Sequence, residues 1–188
     1  MKKVWIIIII IFIATILMLG YIGPQSALEK QVKSCSEYYN KCWRLDSVQE
    51  DVEQKYIYVK FSYRYKNYEE RLHCIKKTKE ELTKVLLESE DTKWRGYTIK
   101  LGFLNVGDYF DVEVKAEDIQ ITSNMNISIE TIASLFPQAK VLYLYPARYE
   151  SIAEVQGFEE LMEIRFSQGL KEEEKAYVWS LFPDCMIK

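Results

Sequence analysis

Three heptapeptides in the last third of the chain share one pattern. AEDIQIT, AKVLYLY and LMEIRFS carry apolar or small residues at their first, fourth and sixth positions: Ala116, Ile119 and Ile121; Ala139, Leu142 and Leu144; Leu161, Ile164 and Phe166. The steps from Ile119 to Leu142 and from Leu142 to Ile164 are 23 and 22 residues, and SLFP recurs at Ser134 and Ser180, 46 residues apart. Helical patterns lie between: Ile129, Ile132, Ala133 and Phe136; then Ile152, Val155 and Phe158 behind a capping box of Ser151 and Glu154; then Leu170, Tyr177, Val178, Leu181 and Phe182. A strand and a helix of this length cannot bury their apolar faces alone, so such units stack on their neighbours. In both SLFP copies Leu-Phe closes a helix and Pro prevents its continuation. The second copy then reads as a truncated repeat, with Cys185 where Ala139 stands in the first.

The spacing resembles that of leucine-rich repeats, L-x-x-L-x-L-x-x-N within 20 to 29 residues. The family's asparagine, which satisfies backbone groups in the loop after the strand, corresponds to Asn124, while Ala147 and Gly169 stand in the later copies. The resemblance implies parallel strands with helices stacked behind them over about 70 residues. An ordinary α/β segment with similar loop lengths is the alternative.

Upstream, YIYVKFSYRY alternates, with Ile57, Val59, Phe61, Tyr63 and Tyr65 on one face and Tyr56, Tyr58, Lys60, Ser62 and Arg64 on the other, which predicts a half-buried strand. Tyr68, Leu72, Ile75, Leu82 and Leu86 then mark an amphipathic helix. Two further alternations, Tyr97 to Phe103 and Phe110 to Val114, flank a turn at NVGD and form a hairpin. The expected fold class is therefore α+β: an N-terminal transmembrane helix, a β-α-β-β unit with an antiparallel sheet, and short leucine-rich-repeat-like β/α repeats. The boundaries are 1–24 for a membrane anchor, 25–53 for a stalk, 54–116 for the α+β unit and 117–188 for the repeats, the last two packed as one body.

Val4 to Ile22 carries no charge and reaches roughly 28 Å as a helix, close to the thickness of a bilayer's hydrocarbon core. A cleaved signal peptide is the alternative, but neither Gly23 nor Ala27 has a small residue two positions before it. The lipid bilayer, met through residues 4–22, is thus an expected partner. Lys2 and Lys3 hold the amino end inside and place the domain outside the cytoplasm, while Lys30, Lys33, Lys41 and Arg44 pull the other way. Four cysteines allow three pairings, of which Cys35 with Cys42 closes the shortest loop; four separate thiols are the alternative.

A formal charge of −3, from 25 basic and 28 acidic residues, offers no field for nucleic acid. His73 is the single histidine and projects away from its helix's apolar stripe, so no histidine-centred triad or multi-histidine metal site is expected. Asp111 and Glu113 share a strand face with Lys115, a spacing that could bind a hard cation or divide acid and base roles, or simply form a solvated ion-paired face. Glu172 to Glu174 fit the first turn of a helix. Tyr56 and Tyr58 belong to 14 tyrosines that suit contacts with protein or glycan, or a second packed layer. These features lead to a membrane-anchored protein whose extracytoplasmic domain binds another protein through the sheet of the first unit, with Tyr56, Tyr58, Asp111 and Glu113 as its candidate surface, or through the repeat strands, without catalysis, metal or cofactor. An accessory subunit of a membrane complex and an enzyme of unrecognised class are the alternatives.

Overall fold

The computed structural model describes residues 26–35, 42–63, 68–104, 107–115 and 118–188. Two compact units divide the chain at Ser34 and Cys35. The first contains helix α1, Ala27–Ser34, which Ser26 opens by accepting the Glu29 N–H and which a Lys33–Glu29 ion pair spans.

The second unit is one eight-stranded sheet whose spatial order is the order of the sequence: β1 (Trp43–Asp51), β2 (Tyr56–Tyr63), β3 (Thr98–Leu104), β4 (Tyr109–Lys115), β5 (Asp118–Ser123), β6 (Ala139–Leu144), β7 (Glu163–Phe166) and β8 (Met186–Ile187). β1 and β4 run against the others. The links between parallel neighbours are helical: α2 (Tyr68–Thr83, extended by a π turn to Glu88) joins β2 to β3, and α3 (Ile129–Leu135) joins β5 to β6. A 3₁₀ turn (Ile152–Gly157) joins β6 to β7, and α4 (Glu172–Leu181) joins β7 to β8.

Parallel crossovers are right-handed, and here each advances the same way along strands pointing the same way, so all of them fall on one face. Burial follows. Ile57, Val59, Phe61, Ile99, Leu101, Phe103, Phe110, Val112, Val114, Ile121, Leu142 and Ile164 face the helices and are buried. Trp43 anchors the first edge, its indole N–H donating to Thr78 Oγ1 of α2 at 3.2 Å and its ring 4.8 Å from that of Phe103, which stacks on Phe61 at 5.2 Å.

These findings correct the expected fold class. The sheet is mixed, because α2 carries the chain back so that β3 lies parallel to β2. β4 and β5 pair along their length, so the strands on either side of residue 116 share one sheet. Among the described residues no helix is long and apolar enough to cross a membrane, and the expected N-terminal transmembrane helix falls on residues outside those described. The second half of the expected stalk is β1. A bulge between Leu45 and Ser47 breaks its two-residue alternation.

Ile121, Leu142, Ile164 and Ile187 align across the sheet, so the sixth position of the first heptapeptide meets the fourth of the next two. Leu142 thus neighbours Ile121 and not Ile119, which pairs with Ala139, and the register shifts by one between Ile119 and Gln120. The SLFP copies adopt the same backbone: Phe136 N–H donates to Ile132 O and Phe182 N–H to Val178 O, both at 2.8 Å, and Ala139 and Cys185 each donate to their phenylalanine at 3.0 Å. Cys185 occupies the buried place of Ala139, and burial followed by the nearby Glu163 carboxylate pushes its thiol up to about 11. The capping box of Ser151 and Glu154 forms as expected.

Cys42 is bonded to Cys74 of α2, with 6.4 Å between Cα atoms, and not to Cys35, which lies outside that bridge. Proximity in sequence lost to the packing of α2 on β1, which brings Cys74 beside the residue that precedes Trp43. The bond closes a separation of 32 residues, so the double variant Cys42→Ser/Cys74→Ser should lose about 3 to 4 kcal/mol in urea unfolding under oxidising conditions. The Thr83 hydroxyl is buried without a hydrogen-bond partner, so Thr83→Val should gain about 1 kcal/mol in the same measurement.

Candidate functional site: the uncovered sheet face

Opposite the helices, every second residue of each strand points to a face that none of this unit's described helices covers. β2 contributes Tyr56, Tyr58 and Lys60, β3 Lys100 and Gly102, β4 Tyr109, Asp111 and Glu113, β6 Val141 and Tyr143, and β7 Glu163 and Arg165. The alternation that buries Phe110, Val112 and Val114 obliges Asp111 and Glu113 to face outward. Four positions expected from the sequence, Tyr56 and Tyr58 on β2 and Asp111 and Glu113 on β4, therefore face each other across β3.

They meet as donors and acceptors to one another. The Tyr56 hydroxyl reaches across β3 and donates to Glu113 Oε2 at 3.1 Å, while Lys100 Nζ lies 3.0 Å from Asp111 Oδ2. Burial and the Glu113 carboxylate raise the Tyr56 phenol well above its ordinary value. Burial opposes the charge on Lys100, but the Asp111 hydrogen bond and the negative charges of Asp111 and Glu113 together outweigh it and hold the ammonium above its usual range. Asp111 and Glu113 are thus engaged by a cation and a phenol, which leaves them poorly placed to divide acid and base roles.

Tyr58 has a different support. A Cβ on Gly102 would lie 2.6 Å from its hydroxyl, so the tyrosine ring lies across a position that only glycine leaves open. Beside it Gln49, Glu50, Asp51, Tyr56 and Lys100 complete a cleft of about 420 Å³. Glu50 is held at its margin by the Trp94 indole N–H at 2.8 Å and by Lys93.

A second centre lies at the other end of the face and was missed by sequence reasoning. Glu163 is 7% exposed, and its carboxylate accepts the Tyr143 hydroxyl at 2.8 Å and pairs with Lys188 at 2.6 Å. Burial alone would raise its carboxyl, but the Lys188 and Tyr143 hydrogen bonds prevail and hold it below the usual range. Tyr143 is pushed up to about 12, by burial and then by Glu163. The sequence signal was the in-register alignment of Tyr143 with Arg165 and Val141 with Glu163, invisible until the strands were known to be parallel.

Asn124 is placed to hold the rim of this face. Its side chain accepts the Tyr109 N–H at 2.6 Å and donates to Gly107 O at 2.8 Å, tying the β3–β4 turn to the end of β5. His73 is exposed on α2, away from the sheet face. Among the described residues no group of three or more His, Cys, Asp or Glu could hold a metal ion.

The pair of Glu163 and Tyr143 fixes a pH dependence. The lowered carboxyl contributes stability above its unfolded value, lost as pH falls through the folded one, whereas the raised phenol contributes stability below its unfolded value, lost as pH rises toward 12. Absorbance at 295 nm should therefore show a tyrosine that ionises near 12 and disappears in Tyr143→Phe, and Glu163→Gln should flatten the acid limb of the stability profile. Compared with protein-family models, with curated proteins and with solved structures, the chain matches none.

Proposed function

We propose that the chain is a membrane-anchored protein whose extracytoplasmic domain binds another protein through the uncovered face of its sheet. The observation that carries this reading is the asymmetry of the second unit: one face is covered by four helical segments and the other by none, and the open one is set with Tyr56, Tyr58, Tyr109 and Tyr143 over fixed ion pairs. Tyrosines of this kind offer large rigid contact area with a polar tip at little entropic cost. Because Lys100, Asp111, Glu113 and Glu163 are already engaged, a partner meets a prearranged surface.

Two features support the location. The uncharged run from Val4 to Ile22 suits a bilayer, and a disulfide such as Cys42–Cys74 persists in oxidising compartments. Asp111 and Glu113 supply no free acid and base pair, so binding is favoured over an unfamiliar catalysis.

A photo-crosslinking residue placed at Tyr58, and separately at Tyr143, in the full chain in its native membrane should capture the same protein. The same residue at Glu80, exposed on α2, should capture none. Capture from Glu80 alone, or from neither tyrosine position, would overturn the reading.

A further inference from the structure

The two edges of the sheet are unlike. β1 carries a bulge and exposed Arg44, Asp46, Gln49 and Asp51, the devices that keep an edge from pairing with another chain. β8 has neither. Its inward groups are fixed, since Met186 N–H donates to Met162 O at 2.9 Å and Lys188 N–H to Ile164 O at 3.0 Å. Strand alternation then points the Ile187 N–H and C=O outward, where no strand meets them among the described residues.

Apolar surface gathers at the same end. Of the large apolar side chains that stay exposed among the described residues, Met162 at 49%, Trp179 at 43%, Leu181 at 40% and Met186 at 54% lie here, and only Val52 lies elsewhere. The repeat explains why. Ala133 of α3 is buried so closely against the next turn that a Cβ on Gly157 would sit 2.8 Å from it. The residue 46 positions later is Trp179, whose indole N–H donates to Cys185 O at 2.9 Å. Its bulk excludes the close helical neighbour that Ala133 admits, yet leaves an apolar surface to be covered.

We propose that this end is a self-association surface, on which two copies join β8 to β8 antiparallel about a two-fold axis at Ile187. The two isoleucines then exchange both backbone hydrogen bonds, the arrangement of a hydrogen-bonded antiparallel pair. In that register Met186 of one copy stands opposite Lys188 of the other, so no like charges face each other, and each Lys188 keeps its Glu163. The helices of both copies lie on the same side, and Trp179 and Leu181 of the two α4 helices meet across the axis. A two-fold contact needs a self-complementary patch, and an apolar, charge-balanced edge is one. The uncovered face bearing Tyr58 stays free, so the association does not rest on the binding role proposed above.

The test uses the full chain in detergent micelles. Sedimentation should show a protein mass rising with concentration from 22.3 kDa to twice that value, and Ile187→Pro, which removes the outward N–H and leaves the inward bonds at Met186 and Lys188, should weaken the association at least tenfold. Ile187→Cys in a Cys35→Ser background should give a disulfide-linked dimer on oxidation, because the paired Cα atoms would lie about 5.5 Å apart, while Gln49→Cys on β1 should give none. A chain monomeric at every concentration, an association unchanged by Ile187→Pro, or cross-linking through Gln49→Cys and not Ile187→Cys would overturn the proposal. Should Ile187→Pro fail to fold, the cysteine variants decide.

Discussion

A chain that lays each strand beside the one before it, and crosses over only right-handedly, has one face on which to put its helices. This constraint organises the second unit more than any single contact. It collects Phe61, Phe103, Phe110, Leu142 and Ile164 into one continuous core under α2, α3, the 3₁₀ turn and α4. It also leaves the opposite face without a helix of this unit among the described residues. An antiparallel sheet with one solvated face is common, an all-parallel one is covered on both sides, and this mixed sheet has four parallel pairings of seven. The tyrosines, paired charges and cleft of the open face supply the polar cover that a second helical layer would otherwise provide.

That polar cover is built from hydrogen bonds between strands. Tyr56 spans β3 to reach Glu113, Lys100 bridges to Asp111, and Tyr143 and Lys188 converge on Glu163 from either side. Surface ion pairs stabilise little on their own. Their effect here is to fix side-chain positions, so that the rings of Tyr58 and Tyr143 stand in defined places on a rigid platform.

Several elements were legible because local pattern and tertiary role agree. The alternations of β2, β3 and β4 read directly, as did the stripe of α2, the Ser151–Glu154 cap and the shared backbone of the SLFP copies. The failures have physical causes. β1 was hidden by a bulge that puts Leu45 and Val48 three apart where alternation needs two. The direction of β3 is set by the path of α2, which no residue in β3 records. Cys74 lies 32 residues from Cys42 in sequence and became its partner only through packing. Of the open face, Tyr56, Tyr58, Asp111 and Glu113 could be listed from alternation, but Gly102 as the seat of Tyr58 and Glu163 as a buried carboxylate required the pairing of strands.

The in-order sheet has a kinetic meaning as well. Every strand pairs with its neighbours in sequence, so each addition closes only a short loop, and the entropy of bringing distant segments together is never incurred at once. The sheet can grow in chain order as successive segments emerge, β2 receiving β3 through α2 before β6 arrives, and each parallel strand coming with its own covering helix. Such an order spares the growing edge a long wait for a remote partner, during which an exposed strand would otherwise invite aggregation.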